Sequence, residues 1–416
     1  MFDKATLANG LTIIGERLPH FRSVSIGVWI AAGSQHETAE ECGLSHFLEH
    51  MLFKGTQKRT ARKIAEDMDE VGGQINAFTA KEFTCYYVKV IDQHIELALD
   101  VLSDITLHST IDENELEKEK GVILEEIAMA EDEPEDLAHE LIMQAHYGDQ
   151  PLSRPILGRA DTVKNCNRCH IISYQNRLYR ADRAVLAVAG NYDWDALITL
   201  TERYFSEWAG GGGTCECKGV TPQPRLIRRE KSIEQIHICI SYPGYPLRSE
   251  EQYPMMVFNG ILGGSMSSRL FQKIREERGL AYSVYSYPAF YLNTGILAIY
   301  AGTSQQHAET VLDIIHDEIR SFIAHGITDD EFLKTREQIK GNYVLSQESA
   351  SARMNALGRR MLLHGDTQTE DDIIKKIDAI QREAVNALIN TTLSSACAAA
   401  LVGRGADSLD MNPLIG

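Results

Sequence analysis

The strongest constraint on how this chain can fold is an internal repeat. Ile111-Asp112-Glu113-Asn114-Glu115-Leu116 opens a strongly helical stretch, after a strand at Tyr86 to Val90 and a helix from Gln93. Ile327-Thr328-Asp329-Asp330-Glu331-Phe332 does the same, after a strand at Gly295 to Ala301 and a helix from Gln305. Leu116 and Phe332 stand 216 apart (332 − 116), and the two glycines that close apolar runs, Gly190 and Gly403, stand 213 apart (403 − 190). Unrelated landmarks with nearly one offset predict a duplicated unit, hence an α+β chain of two homologous domains. The boundaries fall at 1–208 and 226–416, around a linker at 209–225 that carries Ala209-Gly210-Gly211-Gly212-Gly213-Thr214. A length of 416 residues agrees with more than one core.

Within the first copy, Asn9-Gly10 between two β-prone runs predicts a hairpin, and Ser23 to Ala32 a strand. A helix is expected over Thr60 to Val71, with Thr60 as N-cap and Gly72 as its stop. Two strands then read as Gly72 to Thr79 and Thr84 to Val90. Helices are expected over Gln93 to His108, Glu113 to Met129 and Glu135 to Tyr147, a buried strand at Ala184 to Gly190, and a helix over Asp193 to Phe205.

One stretch stands apart from the repeat. In Gly43-Leu44-Ser45-His46-Phe47-Leu48-Glu49-His50-Met51-Leu52-Phe53 a helix places His46, Glu49 and His50 at i, i+3 and i+4, so two imidazoles and a carboxylate leave one face. Two neutral imidazoles suit zinc, and His-x-x-Glu-His inverts the commoner His-Glu-x-x-His zinc helix. The same residues also read as an ordinary amphipathic helix with Leu44, Phe47, Leu48, Met51 and Leu52 as its core stripe. A zinc site wants a third protein donor, and Glu126, 76 residues after His50 (126 − 50), offers one. Glu119 and Glu126 share a helix face, which periodicity alone reads as a solvated acidic surface. The second copy lacks these groups: shifted by 216, Glu119 falls on Thr335 and Glu126 on Asn342, and the stretch Met266 to Arg275, read as the match to the metal helix, has no His. A requirement of the fold is therefore a poor account of why the first copy has them.

Taken together, these segments resemble the pitrilysin, insulin-degrading enzyme and mitochondrial processing peptidase family of inverted-motif zinc peptidases (inverzincins), most of all its short-chain bacterial processing-peptidase-like branch. The resemblance covers nearly the whole chain. It runs through Gly43 to Thr56, Gly72 to Tyr87 with Asn76-Ala77-Phe78-Thr79, Glu119 to Glu126, Ala189-Gly190-Asn191, and Ser268-Arg269-Leu270-Phe271 to Tyr282. It implies two domains that are each a mostly antiparallel sheet packed with helices, a processing-peptidase-like α/β roll. His46, His50 and Glu126 would ligate one Zn2+ per chain, Glu49 would act as general base, and Glu119 would orient a ligand histidine. Arg275 and Tyr282 would bind substrate and its carbonyl oxygen, with Arg278 and Tyr285 a second pair at the same spacing. Gly72, Gly73, Asn76, Ala77 and Phe78 would form an edge strand on which a peptide pairs.

The activity implied is a zinc-dependent endopeptidase that acts on peptides or unfolded segments, held extended in a closed chamber between subunits. Because one chain carries both the metal set and the Arg/Tyr pair, the expectation is a homodimer with Arg275 and Tyr282 acting in trans. The reading from another class is a non-catalytic scaffold or partner subunit. Degraded metal motifs mark such relatives, and here the set is complete.

A net charge of −18 and the lack of a basic stripe argue against nucleic acid. No run reaches the roughly 18 apolar residues of a membrane span. The chain enters patterned sequence at once without a secretory signal, and eight Cys lie scattered, so a cytoplasmic, bacterial protein is expected. Cys166-Asn167-Arg168-Cys169-His170 fits a haem attachment pattern but reads better as the start of a helix to about Tyr179. Cys215-Glu216-Cys217 has no second pair nearby, and the glycine run lacks the Lys-Ser/Thr of a phosphate loop.

Overall fold

The apolar runs form two sheets among the residues that the computed structural model describes, 2–211 and 219–411. Cys215, Cys217 and Gly212 to Thr214 of the glycine-rich stretch lie outside them. The first sheet comprises β1 (Phe2–Thr6), β2 (Thr12–Arg17), β3 (Ser23–Ile30), β4 (Gln74–Thr79), β5 (Thr84–Ile91) and β6 (Ala184–Gly190), in the order β1-β2-β6-β3-β5-β4. The second comprises β7 (Leu226–Arg229), β8 (Gln235–Pro243), β9 (Ala281–Phe290), β10 (Gly295–Ser304) and β11 (Ala398–Val402), in the order β7-β11-β8-β10-β9.

With β1 set aside, both sheets have one topology. The strands lie in the sequence order first, fifth, second, fourth, third, and in each only the first and fifth pair in parallel. The duplication extends to single residues. Gly190 (φ +140°) closes β6 and Gly403 (φ +136°) directly follows β11, each in a conformation that favours glycine. A Cβ on Gly190 would lie 2.3 Å from the Ser23 carbonyl oxygen, and one on Gly403 2.5 Å from that of Gln235. Ser23 and Gln235 each begin the second strand of their sheet, so one backbone crossing is built twice.

The described residues divide into two compact units, 2–127, 154–211 and 345–369 against 128–153, 219–344 and 370–411, so that each half of the chain gives a helical segment to the other's unit. In the first unit the helix Ala350–His364 packs on β2, β3 and β6. Small residues on both sides make this close approach workable: Gly27 of β3 leaves room for Met354, Ser25 hydrogen-bonds Ser351 at 2.9 Å, and Gly358 of the helix seats the Trp29 indole. In the second unit the helix Pro134–Tyr147 packs on β7, β8 and β11, burying Leu137, Leu141 and Ile142 against Cys239, Ala398 and Ala400. Both sheets are thereby covered on two faces. This is why β6 and β11 read as unbroken apolar runs rather than alternating ones.

Four helices of the first unit position the candidate site: α1 (Leu44–Leu52), α2 (Ala61–Asp69), α3 (Ile95–His108) and α4 (Glu113–Asp132), the last running on past the boundary at Ile127. Thr60 caps α2 by accepting the Lys63 N–H, as predicted, and the chain turns at Gly72 (φ +62°) into β4. The motif helix divides its residues between two faces. Leu44, Phe47, Leu48, Met51 and Leu52 enter the core, while His46, Glu49 and His50 stay half-buried on the other side.

Candidate metal centre

The N-terminus of α1 is fixed from outside the helix. Its N-cap is Gly43 at φ +97°, which offers no side chain to cap the free N–H groups. Glu37, in the segment after β3, supplies the acceptor: its carboxylate takes the N–H of Gly43 at 2.8 Å and of Ser45 at 2.7 Å. Arg154 donates to the Glu37 carbonyl, and the Ser45 hydroxyl bonds the buried Tyr174 hydroxyl at 2.6 Å. Burial pushes the Glu37 carboxyl up to about 7, against the Ser45 and Gly43 hydrogen bonds and the Arg154 charge.

One turn further on, three donor atoms converge. His46 Nε2 and His50 Nε2 lie 3.2 Å apart, and Glu126 Oε2, from α4, lies 3.7 Å from each. An ion held tetrahedrally at about 2.0–2.2 Å from three donors needs them roughly 3.3–3.6 Å apart, so the triangle is the size of a zinc site. Among the described residues this is the one group of three metal-ligating side chains so close together. Glu126 Oε2 is buried and has no hydrogen-bond partner among the described residues, as a carboxylate oxygen aimed at a cation would be. Burial, then the His50 charge, lower His46 to about 4, so its imidazole is neutral at pH 7 and offers a lone pair.

Glu119 sets which nitrogen of His50 is free. Its carboxylate, 4% exposed, meets His50 Nδ1 at 2.8 Å and Lys54 Nζ at 2.6 Å. Burial alone would raise the carboxyl, but the Lys54 and His50 hydrogen bonds outweigh it and hold it below its ordinary value. Ionised, Glu119 can only accept, so Nδ1 carries the His50 proton and Nε2 faces Glu126 with its lone pair. His46 has no such support: its Nδ1 is buried without a partner among the described residues.

Glu49 stands on the same face of α1, beside the triangle rather than in it. Burial raises its carboxyl, while the hydroxyl of Thr79, at the end of β4, donates to it at 2.5 Å and pulls the other way. β4 is the last strand of its sheet and all of its residues are half-buried or exposed. The Ala77 N–H is exposed and has the Asn76 side-chain oxygen as its acceptor at 2.8 Å. Phe78 stacks edge-on to Trp29 at 5.7 Å. Gly72 has open space around its Cα, whereas a Cβ on Gly73 would press on Val90 at 3.0 Å.

Arg275 and Tyr282 lie in the second unit and touch each other, with the guanidinium 4.7 Å from the Tyr282 ring and 4.9 Å from that of Phe271. Tyr282 is 78% exposed. Of the other pair of that spacing, Tyr285 is engaged elsewhere: its hydroxyl donates to Glu135 at 2.7 Å and meets His139 at 2.7 Å. Three residues of the site escape the sequence reading: Glu37, Lys54 and Thr79. Lys54 had a signal, standing four after His50 on the helix line, and Thr79 another, alternating with Ala77 on a strand. Glu37 had none, because a carboxylate that caps a helix from a preceding loop leaves no fixed spacing.

The profile of Insulinase (Peptidase family M16) matches residues 12–160, and that of the Peptidase M16 inactive domain matches residues 165–339. The uncharacterised zinc protease YmxG of Bacillus subtilis is 44% identical over 97% of this chain and 98% of its own. The uncharacterised zinc protease SCO5738 of Streptomyces coelicolor is 39% identical over 96% and 89%. Two solved structures share the fold at 18% identity and a TM-score of 0.91. They are a peptidase M16 inactive domain from Pseudomonas fluorescens, covering 97% of this chain and 98% of its own, and a protease from Helicobacter pylori, covering 97% and 99%. With whole-length relatives at this identity and profiles over both halves, the chain belongs to peptidase family M16.

Proposed function

We propose that this protein is a zinc-dependent endopeptidase that cleaves peptides or unfolded segments. The reading is carried by one observation: three donors 3.2–3.7 Å apart, two of them on one helix turn with Glu49 beside them. Zinc, when bound, supplies a Lewis acid that acidifies water and polarises the scissile carbonyl. His46, His50 and Glu126 hold it, and Glu119 keeps His50 in the tautomer that can ligate. Glu49 takes the proton of the attacking water at its carboxylate and passes it to the leaving amine; a carboxyl raised by burial is suited to both transfers.

The substrate lies extended along β4, where Gly72, Gly73, Asn76, Ala77 and Phe78 border an open edge, and its main chain supplies the missing strand. The exposed Ala77 N–H supports this, since a peptide carbonyl can replace the Asn76 oxygen there. Arg275 and Tyr282 bind the substrate carbonyl, acting in trans in a homodimer whose subunits enclose a chamber. Their stacking and exposure suit that role. A cytoplasmic setting fits the six cysteines that are free among the described residues. No helix among those residues is long and apolar enough to cross a membrane.

The test is zinc content together with cleavage of a quenched unstructured peptide, for the wild type and Glu49→Gln. The expected result is one zinc per chain in both proteins and a loss of turnover of about 10³-fold or more in the variant. A wild type that binds zinc and cleaves no peptide overturns the reading and leaves a non-catalytic subunit.

A further inference from the structure

The bond from Thr79 to Glu49 joins two parts of the site that are distinct in sequence, a helix face and a strand edge. Thr79 stands opposite Thr84, and the next pair toward the turn is hydrogen-bonded, with the Ala80 N–H on the Phe83 carbonyl at 2.8 Å. Bonded and non-bonded pairs alternate along an antiparallel ladder. Thr79–Thr84 and Ala77–Tyr86 are therefore non-bonded pairs, and the main-chain groups of Thr79 and Ala77 point away from β5. The Ala77 N–H agrees, since its acceptor is the Asn76 side chain and not β5. Thr79 thus offers its main chain to the open edge and its hydroxyl, at 2.5 Å, to the carboxylate on α1.

Resting on the peptidase reading above, we infer that Thr79 is a positioning residue that couples peptide docking on β4 to the placement of Glu49. A peptide pairing with this edge holds the Thr79 main chain, and the same residue holds the base. Without a peptide the edge is free to shift, and Glu49 shifts with it. A long peptide is therefore turned over faster than a short one, beyond any difference in binding. Losing the hydroxyl leaves a half-buried carboxylate without its donor while the metal donors keep their places.

The experiment compares wild type, Thr79→Val, Thr79→Ala and Thr79→Ser on quenched peptides of about ten and about four residues, the shorter unable to lie along β4. Thr79→Val should lower kcat on the long peptide about 10- to 100-fold, the loss expected for one hydrogen bond to a charged group, with KM moved less than about 3-fold. Zinc content should stay unchanged, Thr79→Ser should restore kcat, and the kcat advantage of the long peptide should disappear in Thr79→Val. In crystals of that variant the Glu49 carboxylate should leave its present position. Thr79→Ala repeats the test should the valine disturb the strand. A Thr79→Val enzyme with wild-type kcat, or one that loses kcat equally on both lengths, overturns the coupling and leaves the peptidase reading intact. A wild type that cleaves neither peptide overturns both.

Discussion

The two sheets of this protein are one topology used twice, and only one of them carries donors. Both place their strands in the same order, both have a glycine of positive φ at the close of the fifth strand or directly after it, and both take a covering helix from the other half of the chain. Yet where α4 offers Glu119 and Glu126, the corresponding helix Asp329–Ser346 offers Thr335, which is buried, and Asn342. Where α1 carries His46, Glu49 and His50, the helix at the same place in the second half, between β8 and β9, is Gln252–Leu262, and it has no His, Asp or Glu. The fold needs none of these carboxylates or imidazoles, so their presence in the first half calls for a chemical explanation.

That comparison breaks if the shared features are not equally structural. Gly190→Ala and Gly403→Ala each force a Cβ to within 2.5 Å or less of a carbonyl oxygen at φ near +140°. Each should cost about 2–4 kcal/mol, read as a fall in the urea midpoint. Similar losses support a duplicated scaffold. A loss at one site and none at the other would mean that the two crossings are not equivalent.

The next effect sharpens the difference between the halves. Glu119→Gln removes the charge that fixes His50 and pairs with Lys54, and should weaken zinc about 10- to 100-fold in a chelator competition. Thr335→Val, at the matching position of the second half, should leave the affinity unchanged. Equal affinities for wild type and Glu119→Gln would remove Glu119 from the site.

Most of the scaffold was legible because local rules and tertiary packing agree. β6 spans Ala184–Gly190 as the apolar run requires, Thr60 caps α2, and the repeat offset anticipates the shared topology. The exchange of helices was not legible: periodicity says that Leu137, Leu141 and Ile142 form a stripe, not which sheet the stripe will cover. Of the candidate donors, His46 and His50 were legible because a metal restricts residue type and helical spacing together, whereas Glu126 reads by periodicity as a solvated acid and was assigned only through the family resemblance. The supporting groups were not legible, since a hydrogen bond to Glu49 or to the end of α1 can come from any nearby polar group. Thr79 and Glu37 meet α1 through such bonds.

Glu37 and Glu119 give the finest version of the comparison, because both are buried carboxylates bound to α1 and their acidities move in opposite directions. Glu119 has cationic Lys54 against it, so its ionised form is stabilised by folding, and that stability is lost as pH falls through its lowered value. Glu37 receives its bonds mainly from neutral backbone N–H groups, which do not offset burial. Between its ordinary 4.5 and about 7 the folded protein keeps a proton that the unfolded chain has released. Folding stability from this group is therefore greatest below about 4.5, declines as pH rises to about 7, and is level beyond. Glu37→Gln lacks the titration. In urea unfolding of the zinc-free proteins the stability gap between wild type and variant should narrow by about 1–3 kcal/mol from pH 5 to pH 8. A gap that stays constant or widens would show that the two amides and Arg154 stabilise the Glu37 anion as fully as Lys54 stabilises that of Glu119.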